Sequence, residues 1–254
     1  MLRYLQQTLG AHPDLAEGLA PAGLLHPTEQ AKLDSFRVLK RRRDWLLGRW
    51  TAKRLIQQYL LETTTARHPL PAILIAVDPD GAPFAALGVS SGEDKASAPQ
   101  RLPISLSISH SGDRAFCALI DEPGVSVGAD VELIEPRERA LAEQFFTPEE
   151  LAFLDTVAPP EYHAAVTAIW CAKEAVLKAL RIGLRVDTRW LTCRPSHDNR
   201  RPADWTSFVV SFDPRLDVAH ARSVGRTIWR VDDPFVLALA VVCGPAGETP
   251  ASPA

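Results

Sequence analysis

The sequence is poor in the residues that build disulfide scaffolds, metal knuckles or membrane spans. Its four cysteines are far apart and form no Cys-x-x-Cys pair, so neither a disulfide framework nor a zinc site is indicated. The longest clean apolar run, residues 235–243, is much shorter than the roughly 20 residues needed to cross a bilayer. The N-terminal residues show no apolar signal core. We therefore expect a cytoplasmic protein without a membrane partner.

The chain also lacks a strong charge of either sign. It has 28 basic and 31 acidic side chains, a formal net charge of −3, which argues against a dedicated nucleic-acid binder. Hydrophobic residues at 46% and charged residues at 23% are typical of a folded globular chain. The 254 residues are enough for one large domain or two small ones. We expect a monomer.

Capping residues, hydrophobic periodicity and turn residues divide the first half into helices followed by strands. Thr28 is predicted to cap one helix, and a second helix is predicted over residues 42–61. Strand-like runs follow at residues 72–77, 106–109 and 115–120, with a loop rich in Gly, Ser and Pro over residues 88–103.

The second half repeats this mixture. Thr147 is a predicted N-cap, with Pro148 at the first helical position and Glu150 closing a capping box. A long helix is predicted over residues 161–182, ended by Gly183. Strands are predicted at residues 125–132, 207–212, 227–231 and 235–243.

The sequence thus predicts an α+β protein with two similar modules, although no repeat of individual residues is evident. We expect an N-terminal half over residues 1–120, a C-terminal half over residues 121–243 and a disordered tail over residues 244–254, which is rich in Pro, Ala and Gly.

Two acidic residues lie two positions apart on the strand predicted at 125–132. Asp130 and Glu132 therefore share one face, while Ala129 and Val131 point the other way, into a core. Alternating polar residues are also typical of an ordinary exposed strand face.

A third acidic residue, Glu174, lies on the long helix in line with Trp170 and Lys178, one helical turn away on either side. Glu174 and Lys178 could be an ordinary surface ion pair, but the tryptophan suggests a partly buried line. Three converging carboxylates would suit a hard cation such as Mg²⁺. The absence of a His/Cys cluster argues against zinc or a redox metal.

Two further segments could bind phosphate. Ser109 and His110 lie in a strand that ends in His-Ser-Gly, which offers hydroxyl, imidazole and backbone N–H groups. A Ser–His nucleophile pair is disfavoured, since neighbouring strand residues face opposite ways. The other segment, residues 37–54, holds eight basic side chains against Asp44 alone. Such a run is usually a solvated helix face, but here it indicates an anion site. Arg49 is the favoured member, because Gly48 would let a ligand approach the backbone.

Together these segments resemble a known family. GADVE at 128–132 with WCAKEAVLK at 170–178 is similar to the two signature motifs of 4′-phosphopantetheinyl transferases. The chain length and the segments SISHSG, FFTPEEL and LLGR (46–49) resemble the two-domain, surfactin-synthetase-activating type. The resemblance covers residues 28–185. It implies a pseudo-dimer of two similar α+β halves with the active site in the cleft between them.

The resemblance also implies an activity. Such enzymes transfer the phosphopantetheine arm of coenzyme A to a serine of an apo acyl- or peptidyl-carrier protein, releasing adenosine 3′,5′-bisphosphate. Carriers of fatty-acid, polyketide and peptide pathways are all possible partners.

Roles follow by position. Asp130, Glu132 and Glu174 would hold Mg²⁺. Glu174, directly or through a water, would be the base, and Asp130 and Lys178 would also be catalytic. Arg49, Ser109, His110, Lys173 and Lys178 would contact coenzyme A.

One position departs from the family. Gly81-Ala82-Pro83 stands where these proteins often have Gly-Lys-Pro, so a cation that contacts coenzyme A is missing. A catalytically silent module that binds coenzyme A or a carrier domain is the alternative interpretation.

Overall fold

The computed structural model describes residues 1–88, 99–195, 203–216 and 223–244. The chain divides into two units, Met1–Glu122 and Pro123–Ala254. Both combine helices with antiparallel strands, which confirms the α+β class. Residues 245–254 of the predicted tail and residues 89–98 of the predicted loop lie outside the described residues. No helix in the described ranges is both long and apolar enough to cross a membrane.

The first unit contains one long helix and two small sheets in its described part. Its elements are β1 (Leu2–Thr8), α1 (Pro13–Ala16), α2 (Pro27–Asp34), α3 (Leu39–Thr64), β2 (Ile73–Val77), β3 (Pro83–Leu87), β4 (Gln100–Arg101), β5 (Ser105–Ser111) and β6 (Arg114–Ile120). The sheets have the orders β1-β6-β5 and β2-β3-β4. Helix α3 buries Leu55 and Ile56 against Leu106 of β5 and Leu119 of β6, and this apolar layer holds the helix on both sheets.

The second unit has the same kind of construction. Its elements are β7 (Val125–Leu133), α4 (Arg139–Phe145), α5 (Pro148–Leu154), α6 (Tyr162–Ala179), β8 (Leu191–Pro195), β9 (Thr206–Phe212), β10 (Ser223–Asp232) and β11 (Phe235–Cys243). The five strands form one sheet of order β7-β11-β10-β9-β8. Helix α6 packs Ala172, Val176 and Leu177 against Trp229 and Ala238 of the sheet.

The start of α5 confirms the predicted capping box. Thr147 accepts a hydrogen bond from the backbone N–H of Glu150, and the Glu150 carboxylate accepts one from Thr147 N–H. The start of α2 was predicted two residues too late, because the N-cap is His26 rather than Thr28. His26 Nδ1 accepts the Thr28 N–H and Glu29 completes the box, with Pro27 at the first helical position. An imidazole thus replaces the usual hydroxyl or carboxylate cap.

The long helices differ from the predicted lengths at their ends. Helix α3 is longer, and it ends where Thr65 adopts a left-handed conformation with φ of 58°. Helix α6 ends at Ala179, earlier than predicted, because Arg181 already has a positive φ of 62°. Gly183, the predicted stop, has φ of 55° and lies in the turn beyond.

Strands β1, β3, β4 and β8 were not predicted, and β4 lies in the segment that was predicted as a loop. The sequences of β1 and β8, LRYLQQT and LTCRP, carry polar residues and a proline that weaken the strand signal. Each is held by an antiparallel partner from elsewhere in its unit, β6 for β1 and β9 for β8. The register with the partner, rather than local propensity, selects the extended form.

All four cysteines are free, and we predict that they are chemically dispensable. Cys117, Cys171 and Cys193 are buried, and burial raises the pKa of the Cys171 and Cys193 thiols, so little thiolate is present. Alkylation of the native protein should modify the less buried Cys243 first. A mild reductant should leave any activity unchanged; loss of activity on reduction would contradict this prediction.

Candidate functional site

A glycine allows the strand with the acidic motif to lie against the long helix of the second unit. A Cβ atom at Gly128 of β7 would lie 1.8 Å from the carbonyl oxygen of Ala175 and 2.7 Å from the amide nitrogen of Ala179, both in α6. Real Cβ atoms do not come so close to backbone, so only glycine permits this packing. Gly128, Asp130 and Glu132 share one strand face, which therefore looks onto α6.

The face of β7 meets the line of residues predicted on the helix. Trp170 donates its indole N–H to Glu132 Oε1 at 3.2 Å, and Arg137 Nη2 lies 3.9 Å from Glu132 Oε2. Asp130 is almost fully buried, whereas Glu132 is partly exposed. These carboxylates are therefore buried or held by side-chain contacts, unlike those of an ordinary solvent-facing strand.

Lys178 reaches across to the strand instead of forming a simple surface pair along the helix. Its Nζ lies 2.6 Å from Asp130 Oδ1 and 3.3 Å from the Ala129 carbonyl oxygen. Burial lowers the pKa of Lys178, but the hydrogen bond to Asp130 and the negative charges of Asp130 and Glu174 more than offset this, so the pKa is raised overall. Lys178 thus remains a cation beside Asp130.

Glu174 lies one turn before Lys178 and is half-buried. Burial raises its pKa to about 7; Lys178 opposes the rise, and the negative charges of Asp130 and Glu132 add to it. The three carboxylates are therefore close enough for their charges to interact. A carboxyl with a pKa near neutrality is suited to proton transfer.

Mg²⁺ was predicted to bind Asp130, Glu132 and Glu174. Among the described residues, no three His, Cys, Asp or Glu side chains stand close enough together to hold a metal ion. At this site Lys178 contacts Asp130, while Trp170 contacts Glu132. The side-chain types are still those that a hard divalent cation prefers. Asp130, Glu132 and Glu174 are three mutually repelling carboxylates on a strand and a facing helix.

A second candidate site is a cationic groove of about 430 Å³ in the first unit, formed by α2, α3 and β5. It is lined by Lys32, Phe36, Val38, Lys40, Arg41, Asp44, Trp45 and His110. Lys32 and Arg41 lie over the Phe36 ring, at 5.5 and 5.1 Å from its centroid. Aromatic rings beneath cations suit an anionic ligand with an apolar or planar part. Sequence reasoning missed Lys32, Phe36 and Trp45.

The two residues predicted from the His-Ser-Gly strand are not equivalent. His110 is exposed and lines the groove, as expected of a phosphate contact. Ser109 is buried and, as the adjacent strand residue, faces the other side of the sheet. Its hydroxyl is therefore not part of this groove, and its predicted contact with coenzyme A stays a prediction.

Arg49 lies beside the groove rather than in its lining. Its guanidinium is 4.7 Å from the centroid of the Trp45 ring, and its Nε is 3.5 Å from Glu29 Oε1. Gly48 was predicted to let a ligand approach the backbone beside Arg49, and this prediction was wrong. A Cβ at Gly48 would meet Ile108 of β5 at 3.2 Å, so the position faces the protein interior. Arg49 can still support the groove through Trp45.

Lys173, predicted to contact coenzyme A, is instead fully buried. Its Nζ lies 2.8 Å from Glu150 Oε2 and donates to the carbonyl oxygens of Thr188, at 2.8 Å, and Leu191. These three partners use all three N–H groups of the ammonium. Lys173 is therefore a structural residue and not a ligand for a phosphate.

The predicted basic run also divides into separate roles. Lys53 is fully buried and paired with Glu29, and it donates to the carbonyl oxygens of Leu24 and Leu70. Arg42 donates to Gly18 O at 3.1 Å and to Leu33 O at 2.9 Å. Only Lys40 and Arg41 of the run line the groove itself.

The fold and these two groups of residues define an α+β protein with an acidic site beside Lys178 and a cationic groove that suits an anion. Residues 126–240 match the family model of the 4′-phosphopantetheinyl transferase superfamily. The chain is 30% identical over 175 residues to the 4′-phosphopantetheinyl transferase AcpT of Salmonella typhimurium, covering 68% of this chain and 72% of that protein. The chain belongs to this superfamily.

The chain is also similar to other proteins. The chain is 28% identical over 200 residues to the 4′-phosphopantetheinyl transferase psf-1 of Bacillus pumilus, covering 75% of this chain and 76% of that protein. Among solved structures, it is similar to the ACPS–CoA complex of Chronobacterium ammoniagenes, with 17% identity and a TM-score of 0.39. That match covers 47% of this chain and 97% of the other.

Proposed function

We propose that this chain transfers the 4′-phosphopantetheine arm of coenzyme A to a serine of an apo acyl- or peptidyl-carrier protein. The observation that carries the proposal is the contact between strand β7 and helix α6. It brings the acidic side chains of the first motif to Glu174 and Lys178 of the second. Both motifs lie within the stretch that matches the superfamily.

The reaction breaks a phosphoanhydride bond and forms a phosphoester bond. The carrier serine oxygen forms a bond to the phosphorus of the pantetheine phosphate, and the diphosphate P–O bond breaks, giving adenosine 3′,5′-bisphosphate. The serine proton passes to Glu174, directly or through a water. Lys178 supplies positive charge beside the leaving phosphate.

Asp130, Glu132 and Glu174 are the residues that would hold Mg²⁺ in this proposal. A bound Mg²⁺ neutralises charge on a diphosphate and helps to orient it. The carboxylates themselves repel an anionic cosubstrate, and Lys178 and Arg137 offset only part of their charge. Transfer should therefore be lost on chelation of divalent cations and restored by added Mg²⁺.

The groove on α2, α3 and β5 is proposed to bind the phosphorylated nucleotide end of coenzyme A. Lys32 and Arg41 supply the charge, Lys40 is paired with Asp44 at 2.8 Å, and Phe36 and Trp45 supply flat apolar surface.

Release of adenosine 3′,5′-bisphosphate tests the proposal. With coenzyme A, Mg²⁺ and an apo carrier, chromatography should show this product at one molecule per carrier modified. The control is the same carrier with its acceptor serine replaced by alanine, which should give no product. Coenzyme A binding without product in either reaction would favour the silent binding module.

Ala82 allows a specific prediction about coenzyme A affinity. It lies in the turn between β2 and β3, where its N–H is held by Asp80 Oδ1 at 3.0 Å and Gly81 has φ of 93°. We expect Ala82→Lys to lower the KM for coenzyme A roughly two- to tenfold, because a hydrogen bond to a charged group contributes about 1.5–3 kcal/mol when well formed and less when exposed. The kcat should change little, since the contact would be similar in ground and transition states.

Steady-state kinetics with varied coenzyme A measures this effect. Arg49→Ala should raise the same KM, and a lysine at position 82 should partly offset that rise. If neither substitution changes the KM, these two positions do not influence cofactor binding, and their assignment is wrong.

A further inference from the structure

A buried glutamate in each unit is held in the same way. In the first unit, Glu29 is the third residue of α2 and accepts the N–H of the N-cap residue His26, at 3.0 Å. It also accepts the N–H of Ile75 in β2, at 3.2 Å. It is 3% exposed and is paired with Lys53 of α3.

The second unit repeats this arrangement. Glu150 is the third residue of α5 and accepts the N–H of the N-cap residue Thr147, at 2.8 Å. It also accepts the N–H of Cys193 in β8, at 2.6 Å. It is fully buried and paired with Lys173 of α6.

The two lysines have equivalent partners as well. Each donates to the first residue of the short 3-10 turn that precedes the next strand: Lys53 to Leu70 O, at 3.1 Å, and Lys173 to Thr188 O, at 2.8 Å. Each donates to one further backbone carbonyl, that of Leu24 or Leu191. The sequences around them now align as Trp-x-Ala-Lys at 50–53 and 170–173.

Buried Lys–Glu pairs of this kind are not explained by stability alone. A buried ion pair often gives no more stability than apolar residues of similar volume, because both charges lose their hydration. Its directional bonds can instead fix one arrangement, which apolar contacts do not. This matters for α6, whose buried surface is rich in alanine (164, 165, 168, 172, 175 and 179) and presents few large side chains that would set its position.

We propose that Lys173 and Glu150 are positioning residues, which fix α6 against α5 and β8 and so place Glu174 and Lys178. The equivalent pair, Lys53 and Glu29, fixes α3 and so places the cationic groove. Lys173 immediately precedes Glu174, so a shift of the lysine moves the carboxylate directly. The kinetic part of this inference rests on the proposed function.

The matched pair gives a direct kinetic test. Lys173→Met should lower kcat roughly 10- to 100-fold, as expected for displaced reacting groups, and should leave the KM for coenzyme A within about threefold of wild type. Lys53→Met should do the reverse, raising the KM for coenzyme A roughly tenfold with kcat within about threefold of wild type. Equal effects of the two variants on both constants would overturn the proposal.

Hydrogen exchange measured by mass spectrometry gives a readout that does not depend on activity. Lys173→Met should lose protection in α6 and β8 while α3 and β2 stay protected, and Lys53→Met should show the opposite. If the wild-type protein transfers nothing, the proposed function fails while this measurement still tests the positioning pairs. A raised KM for coenzyme A in Lys173→Met, with exchange in α6 unchanged, would show that Lys173 contacts the cofactor and would overturn the proposal.

A double variant covers the case in which Lys173→Met does not fold. Glu150→Gln with Lys173→Gln removes both charges but keeps polar groups that can bond each other and the backbone. It should restore protection of α6 and at least part of kcat. Restored protection without any recovery of kcat would mean that the Lys173 ammonium acts on the substrate, against the proposal.

Discussion

Glu174→Gln is expected to abolish transfer while the protein remains folded. The change removes a half-buried carboxyl whose pKa is raised to about 7 and which is the proposed base. Loss of a general base typically lowers kcat by roughly 10²–10⁴-fold. Glutamine has nearly the same shape and removes a charge that burial disfavours, so the melting temperature should be equal or higher. Asp130→Ala should abolish transfer as well.

The matched control is Glu143→Gln, the same chemical change at an exposed position of α4. Glu143 is 55% exposed and makes only a 3.3 Å ion pair with Arg139, one turn away. It should retain wild-type kcat, since such exposed pairs contribute little. Near-wild-type turnover of Glu174→Gln or Asp130→Ala at saturating Mg²⁺ would refute the assignment of these carboxylates.

Gly128→Ala is expected to give the largest loss of stability. Its Cβ would lie 1.8 Å from Ala175 O and 2.7 Å from Ala179 N, and these are backbone atoms that cannot rotate away. Overpacking a core usually destabilises by about 1–3 kcal/mol, and a clash with backbone belongs at or above the upper end. In a chain of this size, about 3 kcal/mol lowers the Tm by roughly 6–12 °C.

Gly225→Ala in β10 is the control for this change. A Cβ there would lie 3.6 Å from both Cys243 Sγ and Val241 O, an ordinary contact. Thermal unfolding should separate the two variants clearly. Equal Tm values for Gly128→Ala and Gly225→Ala would show that β7 and α6 do not need the close approach that brings Asp130 to Lys178.

Sequence reasoning grouped the acidic side chains of β7 and α6 because their signal is local. The two-residue spacing of Asp130 and Glu132 and the four-residue spacing of Glu174 and Lys178 each assign side chains to one face of an element. It could not show that Lys178 bonds to Asp130 rather than remaining in the solvent. That choice depends on how closely β7 approaches α6, which Gly128 decides.

The buried lysines show what a charge pattern cannot reveal. Lys53 and Lys173 were both counted among possible anion ligands, and both are neutralised by glutamates more than twenty residues earlier in the chain. Pairing over that distance is set by tertiary packing. The shared Trp-x-Ala-Lys segment was the available sequence signal, although it is too short to establish a repeat without the contacts.

The mass of the carrier protein tests the central claim most directly. A purified apo carrier, incubated with this protein, coenzyme A and Mg²⁺, should gain about 340 Da, the mass of the transferred arm of a group-carrying cofactor. The gain should be absent with Glu174→Gln and with a carrier that lacks the acceptor serine. Fatty-acid, polyketide and peptide carriers should be tested side by side. An unchanged mass for all of them, with a wild-type protein that is folded and binds coenzyme A, would contradict the proposed transfer.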